Sequence, residues 1–315
     1  MADLLVRPGP TAADGTFLSI TPDSAGWDFV GFEALALDRT RDAERDTGAR
    51  ELCVVVVQGA ADVRSDHGSW LGIGGRLDPW AGMPDAVYLP PGAHLSLSVA
   101  AGAERCELGL CWAPAPSGGA PARLLSGSEV VVEIRGSAAY ERTVRPILMG
   151  DREAESLLIC EVLTPSGHWS SYPPHKHDRH DSPRETELEE TYYHRLAPER
   201  GFGLQRVYSS DRSLDESLAF HDRDCVLVPR GYHTVSAPPG YELYYLNVMA
   251  GPQRRWQVTN DPDHAWVLEP TSGYPQSRSA DGAWWQVAGG GGQVDERVCE
   301  RGEAVDVLGV GDDPQ

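Results

Sequence analysis

Two ten-residue stretches, DAVYLPPGAH at 85–94 and DCVLVPRGYH at 224–233, match at five positions with an offset of 139 residues. The matches are Asp85/Asp224, Val87/Val226, Pro90/Pro229, Gly92/Gly231 and His94/His233. Each stretch reads as a strand that ends in a turn containing Pro and Gly, with the His opening the next strand. The same offset carries Glu190, at the start of ETYYHRL, onto Glu51, at the start of ELCVVVV. Agreement of two distant segments at one offset predicts two copies of one β-domain, joined near APAPSGGAPARL (113–124).

The rest of the chain fits that reading. Runs such as SLLICEVLT (156–164), FGLQRVYS (202–209) and YELYYLNVMAG (241–251) are rich in β-branched and aromatic residues and are separated by Gly, Pro or Asp clusters. With 34 glycines and 24 prolines in 315 residues, turns are frequent. No long amphipathic helix is evident, and RTRDAERDTGAR (39–50) is too polar to bury a face and reads as a loop. The fold class expected is all-β, with two tandem jelly-roll barrels. The division expected is 1–120 for a first barrel, 121–270 for a second, and 271–315 for a Gly-rich acidic extension without a catalytic role.

A formal charge of −20 repels phosphate backbones and anionic bilayers, so neither nucleic acid nor a membrane is an expected partner. An anionic substrate would need a locally basic site. No apolar run approaches 18 residues, no leader segment is evident, and the six cysteines form no CxxC pair, so the expectation is a cytoplasmic protein with reduced thiols.

Four of the ten histidines fall in HWSSYPPHKHDRHD (168–181). His175 and His177 are two apart, so on a strand both imidazoles face one side and can reach one metal ion. A carboxylate and a third imidazole from neighbouring strands would complete the set. Glu190 and His233, each at the start of a predicted strand, are suitably placed. Lys176, between the two imidazoles, should point to the opposite face. His168, His180, His194, His221 and His264 read as loop or supporting residues.

The runs GHWSSYPPHKHD, LEETYYHR, GFGLQRVYS, DCVLVPRGYHTVSAPPGYELYYLNVMAGPQRRW and NDPDHAW closely resemble the 5-deoxy-glucuronate isomerase family, which also contains 4-deoxy-5-hexosulose-uronate ketol-isomerase. The resemblance is dense over 157–266 and thin over 1–150. It implies a bicupin with one divalent metal per chain, Zn2+ or Mn2+, in the C-terminal barrel. It carries the ligands over as His175, His177, Glu190 and His233, with Glu189 or Glu187 as the fallback carboxylate. It also implies an aldose–ketose isomerase of myo-inositol breakdown acting on a small sugar acid, with a homo-oligomer possible. The competing readings are the pectin-derived ketol-isomerase activity, a redox cupin such as a dioxygenase, and a non-catalytic sugar-binding bicupin.

Catalytic candidates besides Glu190 are Tyr192 and Tyr244, on predicted strands near the motif. Arg206 in GLQRVYS is the first candidate to hold a substrate carboxylate, with Arg254 and Arg255 as loop alternatives. In the first barrel the offset places Ala36 and Asp38 at the positions of His175 and His177, which predicts an N-terminal barrel without metal.

Overall fold

The computed structural model describes residues 3–269, so the 271–315 extension lies outside the described residues, as does Cys299. Strands form three curled sheets. A nine-stranded sheet belongs to the first barrel, and seven-stranded and five-stranded sheets enclose the second. The architecture is a bicupin, as the repeat predicts. Five cysteines are buried free thiols.

Strand pairing redraws three expectations. Leu5–Val6 pairs with Cys225 and Val226, so the chain's first strand lies in the sheet of the second barrel. Arg123–Leu125 pairs with Ala86–Tyr88 of the first barrel, which displaces the expected boundary at 120. Residues 43–46, read as loop from their polarity, form a strand against His94–Val99. Its polar pattern hid it: backbone pairing needs no apolar side chain, and Arg45 is neutralised by Glu33 at 2.7 Å.

The repeat is real, but its register changes from strand to strand. Glu190 is opposite Val228 and Met249, whereas the residue opposite Leu89 and Trp112 is Leu52. The counterpart of Glu190 is therefore Leu52, and Glu51 matches Glu189. The two matched carboxylates do the same work in opposite directions. Glu51 accepts backbone N–H bonds from Glu155, Ser156 and Leu157 of the second barrel at 2.6–2.9 Å. Glu189 accepts from Asp28, Phe29 and Val30 of the first at 2.7–2.9 Å. Each carboxylate thus satisfies three N–H groups just ahead of a strand of the other barrel.

Between these clamps lies a continuous apolar core containing Phe32, Cys53, Val55, Tyr193 and Leu246. It is crossed by buried ion pairs. Arg76 of the first barrel meets Glu161 of the second through two bonds of 2.9 Å, and Arg195 and Arg223 both reach Glu107. A second core fills the interior of the first barrel with Leu52, Val54, Leu108, Leu110 and Trp112.

Glu51 is fully buried and also accepts the Tyr88 hydroxyl, so its loss strands four donors. Glu51→Ala is expected to lower unfolding stability by about 3–5 kcal/mol. A chemical-denaturation midpoint within error of the wild type would contradict this account of the barrel seam.

Candidate metal centre

The second barrel is hollow where the first is filled. The strand Glu189–Ala197 sends Glu190, Tyr192 and His194 inward and Glu189, Tyr193 and Arg195 toward the first barrel, by the two-residue alternation of a strand. Its partner Glu242–Ala250 puts Tyr245, Asn247 and Met249 inward, opposite His194, Tyr192 and Glu190. All of these inward side chains except His194, which stacks on Phe220, line a cavity of about 310 Å3 that His175, Ser171, Tyr140, Arg135, Arg142 and Trp256 also border.

The three imidazoles come together by backbone pairing. His175 lies directly opposite His233, and their ring centroids are 4.7 Å apart. Between Ser170 and His175 the pairing slips, since Pro173 and Pro174 cannot donate to the ladder. Ser171, in this slip, sits at φ 50°, uncommon for a residue other than Gly. His177 follows the end of the strand Trp169–Lys176 and is fixed by reciprocal bonds to Leu188. Its carbonyl accepts the Leu188 N–H at 2.8 Å, and its Nδ1–H donates to the Leu188 carbonyl at 3.0 Å. His233 enters from the Pro-Arg-Gly turn. Gly231 is obligatory there, with φ 88° and a space in which a Cβ would meet the Tyr208 carbonyl oxygen at 2.5 Å.

Each of the three histidines turns Nδ1 to a backbone carbonyl: His175 to Pro173 at 3.5 Å, His177 to Leu188, and His233 to Gly231 at 3.2 Å. A carbonyl can only accept, so Nδ1 carries the proton and Nε2 is directed to the centre, the arrangement that orients imidazoles on metals. One ligand atom from each of the three lies within 4.8 Å of the others. Glu190 Oε2 is 3.1 Å from Nε2 of both His177 and His233. Nε2 of His233 is buried and, despite that proximity, makes no aligned hydrogen bond. A buried nitrogen aimed at a shared point, beside two other imidazoles and a carboxylate, fits a divalent cation of the zinc or manganese type.

The electrostatics agree. Burial alone would raise the Glu190 carboxyl, but the imidazoles of His177 and His233 hold it down at about 2, so it is ionised at every physiological pH. His175 is held well below its ordinary value by burial and by the neighbouring His233 and His177, which keeps it a neutral donor. His177 is pushed up: burial opposes the charge, but the Glu190 carboxylate outweighs it.

Lys176 points away from the centre, as alternation predicts. It bonds Asp178 and Glu185. Asp178 accepts the Gly231 N–H at 2.8 Å, so this network ties the segment of His175 and His177 to the turn that carries His233.

Two sequence expectations fail. Arg206 does not line this cavity. It sits opposite Thr234 while Val207 sits opposite His233, so alternation puts Arg206 on the outer face, where it pairs with Asp215 at 2.8 Å. Tyr244 lies on the face of its strand toward the first barrel, with the Arg76 guanidinium 5.9 Å from its ring centre. Neither borders this cavity. Arg254 is committed to the carbonyls of Leu148, Met149 and Leu157, and Arg255 is exposed. Tyr192 does border the cavity, its hydroxyl 3.0 Å from Ser171 Oγ. Sequence reading missed Arg142, Tyr140, Tyr245, Asn247 and Trp256. The strand Arg142–Leu148 is hard to see in sequence, because RTVRPIL does not alternate and carries Pro146 within it.

Among the described residues, the first barrel offers no comparable set. The residue opposite His94 is Asp46, so Asp46 rather than Ala36 is the counterpart of His175. Asp46 and His94 are exposed and bond to each other at 2.9 Å. Leu52 replaces Glu190, and Leu110 and Leu108 replace Asn247 and Tyr245.

Two hollowed or filled jelly rolls in tandem, with three imidazoles and one carboxylate converging in the second, define a bicupin with a candidate divalent-metal centre. The model of the KduI/IolB family matches residues 4–267, and the chain belongs to that family. A 5-deoxy-glucuronate isomerase of Geobacillus thermodenitrificans is 49% identical over 270 residues, 85% of this chain and 97% of that protein. One of Listeria monocytogenes is 40% identical over 266 residues, 84% and 95% of the two chains. The crystal structure of an IolB-like protein from Salmonella typhimurium superposes with a TM-score of 0.80 at 44% identity, covering 84% of this chain and 99% of that one. The Lactobacillus farciminis oxalate decarboxylase, at 13% identity and a TM-score of 0.56, covers 86% of this chain and 92% of its own and shares the fold.

Metal analysis of purified protein is expected to give about one divalent ion per chain, and His233→Ala should retain almost none after dialysis. Two ions per chain would place a second centre in the first barrel and overturn the assignment.

Proposed function

We propose that this chain is an aldose–ketose isomerase that converts 5-deoxy-D-glucuronate to 5-dehydro-2-deoxy-D-gluconate in inositol breakdown, using one divalent ion, zinc or manganese, held by His175, His177, Glu190 and His233. The observation that carries the reading is the convergence of three Nε2-directed imidazoles and Glu190 at a cavity bordered by hydroxyl and amide side chains, in a chain whose relatives bear that activity in their names.

The reaction removes a proton from C2 of a hydroxyaldehyde and returns one to C1, through an enediolate whose charge rests on oxygen. A divalent ion held by His175, His177, Glu190 and His233 would supply Lewis acidity that makes the C2 proton more acidic and stabilises the charge on oxygen. The protein's own groups supply the rest. Glu190, with its acidity near 2, is a weak proton acceptor, so its role is to hold positive charge at the centre rather than to serve as the main base. Tyr192 is kept protonated, its pKa pushed well up by burial and then by the Glu190 charge, so it can donate a hydrogen bond to an oxygen that gains negative charge. Ser171 Oγ lies 3.0 Å from the Tyr192 hydroxyl and 3.4 Å from that of Tyr245. These three hydroxyls form a contiguous path along which a proton can move beside the substrate. The cavity is walled by Val144, Val162 and Met249, which limits water around the reacting carbons.

Assay of 5-deoxy-D-glucuronate with the zinc-loaded protein under anaerobic conditions is expected to yield the 2-deoxy ketone, and no turnover would sink the proposal. Tyr192→Phe should lower kcat about 10- to 1000-fold with metal content intact. Tyr244→Phe should leave both kcat and metal content unchanged, because its ring lies at the seam between the barrels.

A further inference from the structure

Among the arginines that the two barrels enclose, Arg142 is the exception. Arg76 and Arg145 share Glu161, and Arg195 and Arg223 share Glu107. Arg254 directs Nε and Nη2 to three carbonyl oxygens. Arg142 is half-buried and borders the metal-site cavity, and no carboxylate pairs with it among the described residues. Its Nη1 donates to the carbonyls of Tyr140 at 3.2 Å and Tyr172 at 3.4 Å, while Nε and Nη2 make no hydrogen bond among the described residues. The two carbonyl contacts fix one end of the guanidinium and leave the fork formed by the other two nitrogens for another partner.

The surroundings sharpen the contrast. Burial lowers the pKa of Arg142 and the like charge of Arg135 lowers it further, with only tyrosines opposing, so the protein does not neutralise this cation. Arg135 itself is neutralised by Glu133 at 2.6 Å and lies 4.9 Å from the ring centre of Trp256. Arg142 and His175 border the same cavity. In a chain of charge −20, the cavity thus holds a cation without an internal counter-ion.

We propose that Arg142 is the anion subsite of this cavity, taking the carboxylate of a uronic acid in a two-pronged contact through Nε and Nη2. Parallel N–H donors of a guanidinium match the two oxygens of a carboxylate. With the carboxylate held there, the carbonyl end of an open-chain sugar acid is directed to the His175–His177–His233 face. A neutral aldose, which carries a CH2OH in place of the carboxylate, leaves the cation uncompensated and is disfavoured. Arg142 is in this way the residue that selects sugar acids over sugars, the role that sequence reading gave to Arg206. For the natural substrate this deepens the isomerase reading and rests on it.

The test is equilibrium binding of D-glucuronate and of its uncharged amide, D-glucuronamide, to the zinc-loaded protein by calorimetry. Wild type is expected to prefer the acid by about 10- to 100-fold, the worth of a charge-assisted bidentate contact. Arg142→Met should abolish that preference and raise KM for 5-deoxy-D-glucuronate by a similar factor, with zinc content unchanged. Arg142→Lys, which keeps the charge but loses the fork, should retain a reduced preference, and it decides the matter if the Met variant does not fold. A wild-type acid-to-amide ratio in either variant overturns the subsite, as does loss of zinc from Arg142→Met. Wild-type protein that distinguishes acid from amide through Arg142 yet does not isomerise 5-deoxy-D-glucuronate would refute the activity and leave the subsite standing. Isomerisation with no such discrimination would do the reverse.

Discussion

Adjacent carboxylates on one strand organise the whole molecule. Glu189 and Glu190 are neighbours, so a strand must send them to opposite faces. Glu190 goes into the second barrel and meets His177 and His233. Glu189 goes to the seam and fixes the backbone at 28–30 of the first barrel. The same strand continues the division, with Tyr192 inward beside Ser171 and Tyr193 outward on Glu107. A slip of one residue would exchange the two sets. The charged seam would lose its acceptor and the candidate metal centre its carboxylate together. The geometry of the site and the joining of the barrels are therefore one constraint.

The two barrels show what it takes to turn one fold into a site. Both have the strand, the turn containing Pro and Gly, and the curled sheets. In the first, the inward positions are Leu52, Leu108, Leu110 and Trp112, which close-pack and leave no room. In the second they are Glu190, Tyr245, Asn247 and Met249, which border a cavity. The first barrel contributes by clamping. Glu51 and Arg76 reach the second barrel, and the rigid seam lets its hollow interior persist without collapsing. A polar cavity is a local cost, and the apolar seam offsets it.

Much of this was legible in the residues. The repeated DxVxxPxGxH pattern gave the two-barrel architecture, because turn chemistry and strand alternation are local. The His175/His177 spacing gave two of the three imidazoles that converge in the second barrel, for the same reason. Strand starts and the repeated turn made Glu190 and His233 candidates, 13 and 56 residues beyond His177, and resemblance to a known family gave them the role of ligands. The offset of 139 misled in detail. Turns between strands differ in length, so one offset aligns the turns at Gly92 and Gly231 while shifting Glu51 by a residue and His175 by several. The Arg206 assignment failed for a related reason. Both faces of FGLQRVYS look alike in sequence, and the inward face is set by pairing with the strand that carries His233.

By itself, then, the sequence determined the fold class, the pair of imidazoles on one strand face and the acidic character of the surface, since these follow from periodicity, turn residues and charge. Only the tertiary structure decided which face each of two adjacent glutamates takes, which arginine borders the cavity with no carboxylate partner among the described residues, and which barrel holds that cavity. Those outcomes depend on register between strands far apart in the chain, and a one-residue change in register moves a side chain from one face of a sheet to the other.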